Sequence, residues 1–491
     1  MTDTLPASAP AYELDGQVQA HHSRSEDPAT VSPLAVEADD RTPPIESDTA
    51  APSADGSAEP TSSGGWGLPL LVLIFGMFMS VLDTSIVNVA VPTIERAFGA
   101  TTEQVAWIVT AYTLSLAVIV PLSAWLSERF GATRVYGLAL VGFGVASGLC
   151  GLAWDLNSLI VFRVLQAIPG GLLPPLSMAI LYRIVPPAQI GRAMGLFGLG
   201  VIVAPAVGPT LGGYLVEYVD WRLIFFINVP VGLAATIATF RILPTFPSAG
   251  RPPFDFFGFA TIATGFFALL LALSQGESWG WTSFKVVALV CLALVMFALF
   301  VVTELEVDHP LLDIRAFKYW QFTNSLILIS LLSIGLFTVL FYIPVFLQSA
   351  QGWGALDAGI VLLPQALVMA VVMPTAGQLY DRIGPRWPAL VGLVICAYGT
   401  YLLHDLGINS PRHDIALILM LRAAGMALAM MPIMTGALAA VPQTFVASAS
   451  AFNNVVQQAS ASLGLAILGA ILTSTTAQFL ADQAALMPAS S

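Results

Sequence analysis

The sequence predicts an all-α polytopic membrane protein, and two observations carry that prediction. The chain of 491 residues is 57% hydrophobic and only 10% charged, with a mean hydropathy of +0.82, a composition unlike that of soluble globular chains. Apolar runs of about the ~20 residues that a membrane helix needs recur from residue 66 almost to the C-terminus. These runs are continuous, whereas the strands of a membrane barrel alternate apolar and polar residues. We therefore expect them to be membrane-spanning helices.

The apolar runs predict thirteen spans. Their predicted bounds are 67–93, 104–126, 134–153, 157–181, 190–215, 221–242, 255–274, 284–303, 321–347, 356–379, 386–404, 413–440 and 446–472. The segment after residue 472 is too short and too polar to be predicted as a fourteenth span.

Residues 1–65 differ in composition from the rest of the chain. They hold 12 acidic residues against Arg24 and Arg41, and they are rich in Pro, Ala and Ser with few large apolar residues. Such a segment cannot bury enough apolar surface to offset its ordering entropy, so we predict a disordered acidic tail. Most of the net charge of −12 belongs to this tail and does not indicate a basic ligand for the membrane part.

Lysine and arginine residues in the predicted loops indicate the orientation of the chain. With residues 1–65 inside the cell, ten basic residues fall in inner loops and four in outer loops. The inner ones are Arg129, Arg134, Arg183, Arg192, Arg241, Arg251, Arg315, Lys318, Arg382 and Arg386, and the outer ones are Arg96, Arg222, Lys285 and Arg412. Because cytoplasmic loops are enriched in Lys and Arg, we expect a cytoplasmic N-terminus and a plasma (inner) membrane location. An odd number of spans then places the C-terminus outside.

Two pairs of segments indicate an internal repeat. AWLSERFGATR (124–134) and GQLYDRIGPR (377–386) each place an acid–arginine pair and a glycine at the same offsets in a tight turn. IVFRVLQAIPGGLLPP (160–175) is likewise similar to ILMLRAAGMALAMMP (418–432), with a similar offset along the chain. Repeated helical halves are typical of transporters that open a midplane site to each side in turn.

The repeat predicts the domain organisation. We expect a cytoplasmic tail at 1–65, a six-helix bundle at 66–243, two additional helices with flanking loops at 244–318, a second bundle with five visible spans at 319–475, and a short tail at 476–491.

A single carboxylate interrupts the first predicted span. No charged residue occurs from Trp66 to Leu82, then Asp83 appears, and apolar residues resume at once. A carboxylate at bilayer depth costs at least ~2.5 kcal/mol on insertion scales, which makes Asp83 a functional candidate. The alternative is that Asp83 lies near the outer interface or caps a helix break. Arg163 and Arg422 are the basic residues predicted inside spans, and for each the alternative is a structural arginine bonded to carbonyl groups.

The residues give no indication of an enzyme. No GxxxxGK[ST] phosphate loop and no His/Cys metal cluster occurs in the sequence. The three cysteines, Cys150, Cys291 and Cys396, are scattered through apolar runs and predict no disulfide framework. We therefore expect no enzymatic activity, no cofactor, no metal and no nucleic-acid partner.

A series of motifs resembles the fourteen-span drug:proton antiporter branch of the major facilitator superfamily. The matching segments are LDTSIVNVAVPTI (82–94), WIVTAYTL (107–114), AWLSERFGATR (124–134), FRVLQAIPGG (162–171), APAVGPTLGGYL (204–215), WRLIFFINVPVG (221–232), FDFFG (254–258) and HPLLDIRAF (309–317). The resemblance covers about residues 66–475 and implies the major facilitator fold, with two six-helix pseudo-repeats and two extra helices between them.

The resemblance also implies a function. It predicts a proton-coupled multidrug efflux transporter that exports lipophilic, neutral or monocationic compounds by alternating access, a role associated with antibiotic resistance. The expected partners are a small-molecule substrate, H⁺ and the lipid bilayer, and the requirement for a periplasmic adaptor is left open. Two alternatives remain: an importer or exporter of one small metabolite, proton-coupled or facilitative, and a transport-inactive membrane sensor or scaffold.

The motifs assign candidate site residues in four groups. For proton coupling we expect Asp83, Arg163 and Gln166, with Asp83 as the proton carrier. A tight seam between the two halves, or else ordinary helix packing, is expected at Pro205, Gly208, Pro209, Gly212 and Gly213. Gating by the inner loops, or else a simple topology marker, is expected at Glu128, Arg129, Gly131, Asp381, Arg382 and Gly384. Candidate cavity residues are Asn88, Tyr112, Arg422, Asn454 and Gln457.

The sequence departs from the family pattern at three places. Ala124 and Glu128 stand where the inner-loop motif has Gly and Asp, and Gln457 stands where Arg is common. The fourteenth span that the resemblance implies is not visible, so the expected fold lacks its last helix.

Overall fold

The computed structural model of the chain describes residues 65–248, 250, 253–307 and 310–486. The predicted acidic tail, apart from Gly65, lies outside the described residues. Fifteen α-helices and no β-strand occur among the described residues. The helices are α1 Gly67–Phe98, α2 Thr102–Ile119, α3 Leu122–Phe130, α4 Ala132–Gly151, α5 Leu156–Ile184, α6 Ile190–Tyr218, α7 Leu223–Phe226, α8 Asn228–Ile242, α9 Phe256–Trp279, α10 Phe284–Glu306, α11 Trp320–Ser349, α12 Ala355–Ile383, α13 Arg386–Leu402, α14 Arg412–Ala439 and α15 Val446–Leu486.

The number of spans agrees with the sequence prediction. Within the described part of the chain, 12 helical segments are long and apolar enough to cross a membrane, and the count reaches 13 when the bent pair α2 and α3 is taken as one span. The two helices of that pair meet at 54° beside Pro121. Proline has no amide hydrogen to continue the helical ladder, so the predicted span 104–126 is bent rather than straight.

The last helix is longer than predicted. We expected it to end near residue 472, but α15 continues to Leu486 over 41 residues. The extension, TSTTAQFLADQAAL, contains no glycine or proline and is rich in Ala, Leu and Gln, which favour helix even where the hydropathy is low.

The helices form two bundles and an inserted pair. Helices α1–α8 pack on one another, as do α11–α15, while α9 packs on α10 and also contacts α2 and α15. The bundles meet mainly where α6 packs along α12, with smaller contacts of α15 on α5 and α3. The predicted domain boundaries at 243 and 318 fall between α8 and α9 and between α10 and α11, and the boundaries themselves stay a prediction.

The hydrogen bonds that join the bundles are concentrated toward one end. There the Tyr182 hydroxyl donates to the Thr435 carbonyl at 2.9 Å, and the Ser450 hydroxyl donates to the Pro175 carbonyl at 3.0 Å. At this end α3, α5 and α12 finish and α6 begins. We name it the arginine-rich end, after the arginines of those segments: Arg129, Arg183, Arg192 and Arg382.

Candidate functional site

Asp83 lies at the centre of a buried network between α1 and α5. Its Oδ2 accepts a hydrogen bond from Arg163 Nη1 at 2.5 Å, and its Oδ1 accepts one from Gln166 Nε2 at 2.9 Å. Arg163 Nη1 also donates to Gln166 Oε1 at 2.7 Å. All three side chains are buried. The structure therefore brings the three predicted proton-coupling residues into direct contact, and the alternative that Asp83 lies in water near the interface is wrong.

Helical periodicity explains why these residues meet. On α1 the buried positions Gly76, Ser80, Asp83 and Val87 recur at intervals of three and four, so they share one face. On α5, Arg163 and Gln166 are three residues apart and also share a face. Helix α5 runs unbroken from Leu156 to Ile184 in spite of its internal prolines.

Two residues that the sequence analysis missed complete the network. Asn228 Nδ2 donates to Asp83 Oδ1 and to Ser147 Oγ, both at 3.1 Å. Ser147 Oγ also accepts from Gln166 Nε2 at 3.0 Å and donates to the Phe225 carbonyl at 2.9 Å. Asn228 was within the quoted segment WRLIFFINVPVG, where its polar amide among apolar residues was the available signal. Ser147 gave no signal, because a single serine in an apolar helix is common.

The carboxylate of Asp83 thus receives three hydrogen bonds from three donors on α5 and α8. Because every neighbour donates, the arrangement matches an ionised carboxylate, which can only accept. A charge-assisted pair buried in a low dielectric is strongly attractive only while both partners keep their charge. Protonation of Asp83 would therefore remove the attraction that holds α1 to α5 at this point.

Tyr112 lies under Arg163 rather than in a cavity. The guanidinium carbon of Arg163 is 3.7 Å from the centre of the Tyr112 ring, and the Phe225 ring is 5.8 Å away. Tyr112 is fully buried. The prediction of Tyr112 as a cavity residue is wrong. Its ring instead stabilises the arginine by a cation–π contact.

We had predicted that the glycine- and proline-rich stretch of α6 faces the other bundle or else packs as an ordinary helix. In the structure its close contacts are with α1, in its own bundle. A Cβ atom on Gly208 would stand 2.5 Å from Ser85 Oγ, and one on Gly212 would stand 2.7 Å from the Ile86 side chain. Both neighbours belong to α1, next to Asp83. Gly213 has no atom within 4 Å, and Pro205 supplies a carbonyl that accepts from Ser85 Oγ at 3.5 Å. Pro209 lies in the same helix. Gly208 and Gly212 therefore make a close contact within one bundle, whereas no such contact is found at Gly213.

Other glycines form the close contact between the bundles. A Cβ on Gly191 would overlap the Gly377 carbonyl oxygen, and a Cβ on Gly377 would overlap the Gly191 carbonyl oxygen. Four residues further along α6, a Cβ on Gly195 would stand 2.7 Å from the Met373 carbonyl oxygen. We name Gly191, Gly195 and Gly377 the inter-bundle seam. Sequence periodicity could not assign it, because small residues occur on more than one face of α6.

The predicted gating loops behave differently in the two halves. Asp381 of α12 accepts hydrogen bonds from the backbone amides of Gly191 and Arg192, both at 2.8 Å, at the start of α6. A carboxylate at a helix N-terminus satisfies free amides and the positive end of the helix dipole. Asp381 therefore joins the two bundles directly. Arg382 is exposed, and Gly384 ends α12 with φ +76°.

In the first half the corresponding loop contacts its own bundle. The guanidinium carbon of Arg129 lies 5.3 Å from the centre of the Trp125 ring, and Glu128 interacts electrostatically with Arg183 at the end of α5. Gly131 separates α3 from α4 with φ +87°, a conformation that favours glycine.

Arg422 occupies, in the second half of the sequence repeat, the position that Arg163 occupies in the first half. Unlike Arg163, it has no carboxylate partner among the described residues. It is 2% exposed, donates from Nη2 to the Gly335 carbonyl at 2.5 Å and from Nε to Thr400 Oγ1 at 3.2 Å. No ion pair to Arg422 occurs among the described residues. The structure therefore supports the alternative of a structural arginine bonded to a carbonyl group.

A small cavity lies between the bundles and is lined mainly by methionine. Its volume is about 40 Å³, and seven of the 14 methionines of the chain line it together with Asn454 and Gln457. The methionines are Met77, Met178, Met369, Met373, Met430, Met431 and Met434. None of the described residues that line the cavity is charged. Asn454 and Gln457 thus line this cavity, whereas Asn88 is exposed on α1 and Arg422 is buried elsewhere.

Two bundles of membrane-length helices, with a buried ion pair in the first bundle and a cavity between the bundles, are the architecture of a membrane transport protein. The chain belongs to the Major Facilitator Superfamily, whose family profile matches residues 73–465.

Among its relatives, the uncharacterized MFS-type transporter YhcA of Bacillus subtilis (strain 168) is 36% identical over 83% of this chain and 76% of the relative. The multidrug export protein EmrB of Escherichia coli (strain K12) is 32% identical over 81% and 78% of the two chains. The fold is similar to that of the proton:xylose symporter XylE bound to 6-bromo-6-deoxy-D-glucose, with a TM-score of 0.59 at 14% identity, over 84% of this chain and 89% of that one.

Proposed function

We propose that the protein is a multidrug efflux transporter that exports lipophilic, neutral or monocationic compounds in exchange for protons. The buried Asp83–Arg163–Gln166 network is the observation that carries the proposal, because Asp83 is a titratable group buried on a helix that is long and apolar enough to span a membrane. The multidrug export protein EmrB among the relatives supports the same activity.

The arginine-rich end faces the cytoplasm in this proposal. Cytoplasmic loops of plasma-membrane proteins carry an excess of arginine and lysine, and four arginines, Arg129, Arg183, Arg192 and Arg382, lie at this end. The inter-bundle seam and the Asp381 contact then close the cytoplasmic side. A proton reaches Asp83 from outside in this state.

Proton binding is coupled to movement through α6. Neutral Asp83 attracts Arg163 less, so α1 is freed from α5. Ser85 and Ile86, adjacent to Asp83 on α1, fit against Gly208 and Gly212 of α6. The same helix carries Gly191 and Gly195 of the inter-bundle seam. A shift of α1 is thereby transmitted along α6 to the contact that closes the cytoplasmic side.

The methionine side chains that line the cavity between the bundles support this class of substrate. Methionine side chains are flexible and polarisable, so they adapt to apolar molecules of different shape. The Gln457 amide donates to the Met434 sulfur at 3.8 Å, a weak contact that a polar group of the substrate can replace, whereas the Asn454 amide also donates to the Ser450 carbonyl at 2.9 Å. A wall without charges favours neutral or singly charged compounds over strongly ionic ones.

The direct test is drug efflux by the purified chain in proteoliposomes with an imposed proton gradient. We expect ethidium transport that stops when an uncoupler dissipates the gradient, together with proton movement in the opposite direction when drug is added. Drug transport that continues unchanged with the uncoupler, or drug and protons moving in the same direction, would contradict antiport.

The Asp381→Asn variant should weaken closure of the cytoplasmic side. Asparagine keeps the size of the side chain but loses the charge and one acceptor oxygen, and such cap contacts contribute ~0.5–2 kcal/mol. We expect the equilibrium between access states to shift by about 2- to 30-fold toward cytoplasmic opening, measured as faster limited proteolysis of the loops at that end.

The matched control is Asp357→Asn, on the same helix. Asp357 pairs with Arg412 at 2.9 Å in an exposed position near the other end of α12, where an ion pair contributes little. Equal proteolysis of both variants would show that the Asp381 contact does not hold the closed state.

A further inference from the structure

A second buried carboxyl lies far from Asp83, at the end of the inserted pair. Glu304, in the last turn of α10, is 1% exposed. Its Oε1 accepts a hydrogen bond from the Leu312 amide at 3.2 Å, while its Oε2 is buried and has no partner in the described part of the chain. A buried polar atom without a partner is rare and calls for an explanation.

Asp255, which precedes the first residue of α9, also has a buried carboxyl oxygen without a hydrogen-bond partner among the described residues. Its Oδ1 accepts from the Gly258 amide at 2.8 Å and caps the helix, while its Oδ2 is buried and unpartnered within the described ranges. The two carboxyls converge on Gly258, where a Cβ would overlap Asp255 Oδ2 and stand 3.1 Å from Glu304 Oε1. Glycine is therefore needed here for the two acids to approach each other.

The charged surroundings of Glu304 are acidic. The charged groups of the described residues that interact with it are Asp255 of the α9 cap and Asp313 of the following segment. Glu306 on the same helix is exposed to the surface. Two ionised carboxylates in one dehydrated site repel each other, and a single shared proton removes that repulsion. The described residues include no cluster of three metal-ligating side chains that would suit a bound metal ion.

We propose that Glu304 and Asp255 form a second proton-binding site. Glu304 is neutral, it shares its proton with the Asp255 carboxylate beside Gly258, and its Oε1 accepts from the Leu312 amide. The shared proton removes the repulsion between the two acids. The proton comes from the side of the arginine-rich end, where α9 begins and α10 ends.

The site joins segments that contact both bundles. The Phe254 ring, beside Asp255, packs on Trp125 of α3 with centroids 4.9 Å apart. Residues 310–318, which we name the strap, follow α10 and are held to Glu304 through Leu312. From the strap, the Asp313 amide donates to Ser448 Oγ of α15 at 3.3 Å, and the Phe317 ring lies 4.9 Å from that of Phe452.

Loss of the shared proton therefore affects the contact of the inserted pair with both bundles. Repulsion between Asp255 and Glu304 would separate the start of α9 from the end of α10 and release the strap from α15. The site thus senses the pH at this end of the molecule. This inference does not depend on the direction or the substrate of transport.

The test combines infrared spectroscopy and hydrogen exchange on the purified full chain in lipid nanodiscs. The wild type should show a protonated-carboxyl C=O band at neutral pH that disappears at alkaline pH and is missing in Glu304→Gln. Amide hydrogen exchange becomes faster with pH in any protein, so the measured rates are first corrected for this intrinsic change. After the correction, the strap amides of the wild type should exchange at least about tenfold faster at alkaline pH than at neutral pH, because the hydrogen bond from Leu312 to Glu304 is lost. In Glu304→Gln, which keeps an acceptor for Leu312 and a donor for Asp255, this extra acceleration should be absent.

Glu306→Gln is the matched control, two residues away on the exposed face, and should behave as wild type. A wild-type spectrum without a Glu304-dependent band at neutral pH would overturn the proposal. So would a band abolished at neutral pH by Na⁺ or Ca²⁺, which would indicate a cation site. Equal pH dependence of strap exchange in Glu304→Gln and the wild type would overturn the coupling of the site to the strap. None of these measurements requires transport, so they fail or succeed separately from the proposed antiport.

Discussion

Replacing Asp83 with asparagine should abolish proton-driven drug export while leaving drug binding in place. One proton that moves through a potential of 100 mV supplies ~2.3 kcal/mol. Because 1.4 kcal/mol corresponds to a tenfold concentration ratio, this free energy can maintain a drug gradient of about 50-fold across the membrane. Without a titratable group at position 83 the variant loses this driving force. The measurement is the steady-state ratio of ethidium across proteoliposomes with an imposed gradient, which should fall to the value of empty liposomes.

A loss of export in Asp83→Asn could come from lower folding stability instead of from lost proton coupling, so the two effects are measured separately. Asparagine leaves the buried Arg163 charge without its partner, and such a change costs ~3–5 kcal/mol. We therefore expect a lower melting temperature for Asp83→Asn and a partial recovery in the double variant Asp83→Asn/Arg163→Gln, which removes both charges.

The double variant should fold, bind drug and still fail to export it against a gradient. Glu103→Gln, an exposed acid on α2, is the control and should export normally. If either variant at position 83 maintains a drug gradient that the uncoupler removes, Asp83 is not the proton carrier.

Valine at Gly191 should open the inter-bundle seam and stop export. A Cβ there would overlap the Gly377 carbonyl oxygen and stand 2.6 Å from Asp381 Oδ1, so the two helices must separate. Overpacking of this kind costs ~1–3 kcal/mol, which corresponds to a shift of about 5- to 150-fold in the access equilibrium. The expected result is a longer distance between spin labels at Arg192 and Ile383, which are both exposed, and loss of ethidium efflux.

Gly213→Ala provides the matched control on the same helix. No atom lies within 4 Å of the position that its Cβ would take, so the label distance and the efflux rate should equal those of the wild type. If Gly191→Val keeps the wild-type distance, the seam does not determine the access state.

The buried pair was accessible to sequence reasoning because charges inside apolar spans are costly. Asp83 and Arg163 stood out for that reason, and the three-residue spacing of Arg163 and Gln166 placed them on one face of a helix. Glu304 did not stand out, because an acid in the last turn of an apolar run is typical of an interfacial position. It is buried where the strap and Gly258 of α9 meet the end of α10.

The sequence by itself thus determined the helical class and the number of spans, and it proposed the contact of Asp83 with Arg163 and Gln166 as one of two interpretations. Hydropathy and helical periodicity depend only on neighbours along the chain, and both are visible in one sequence. Only the tertiary structure decided that Ser147 and Asn228 complete the network, that Gly208 and Gly212 face α1, and that Gly191 and Gly377 join the bundles. A small residue fits any close helix, so its partner depends on the packing of helices distant in the chain.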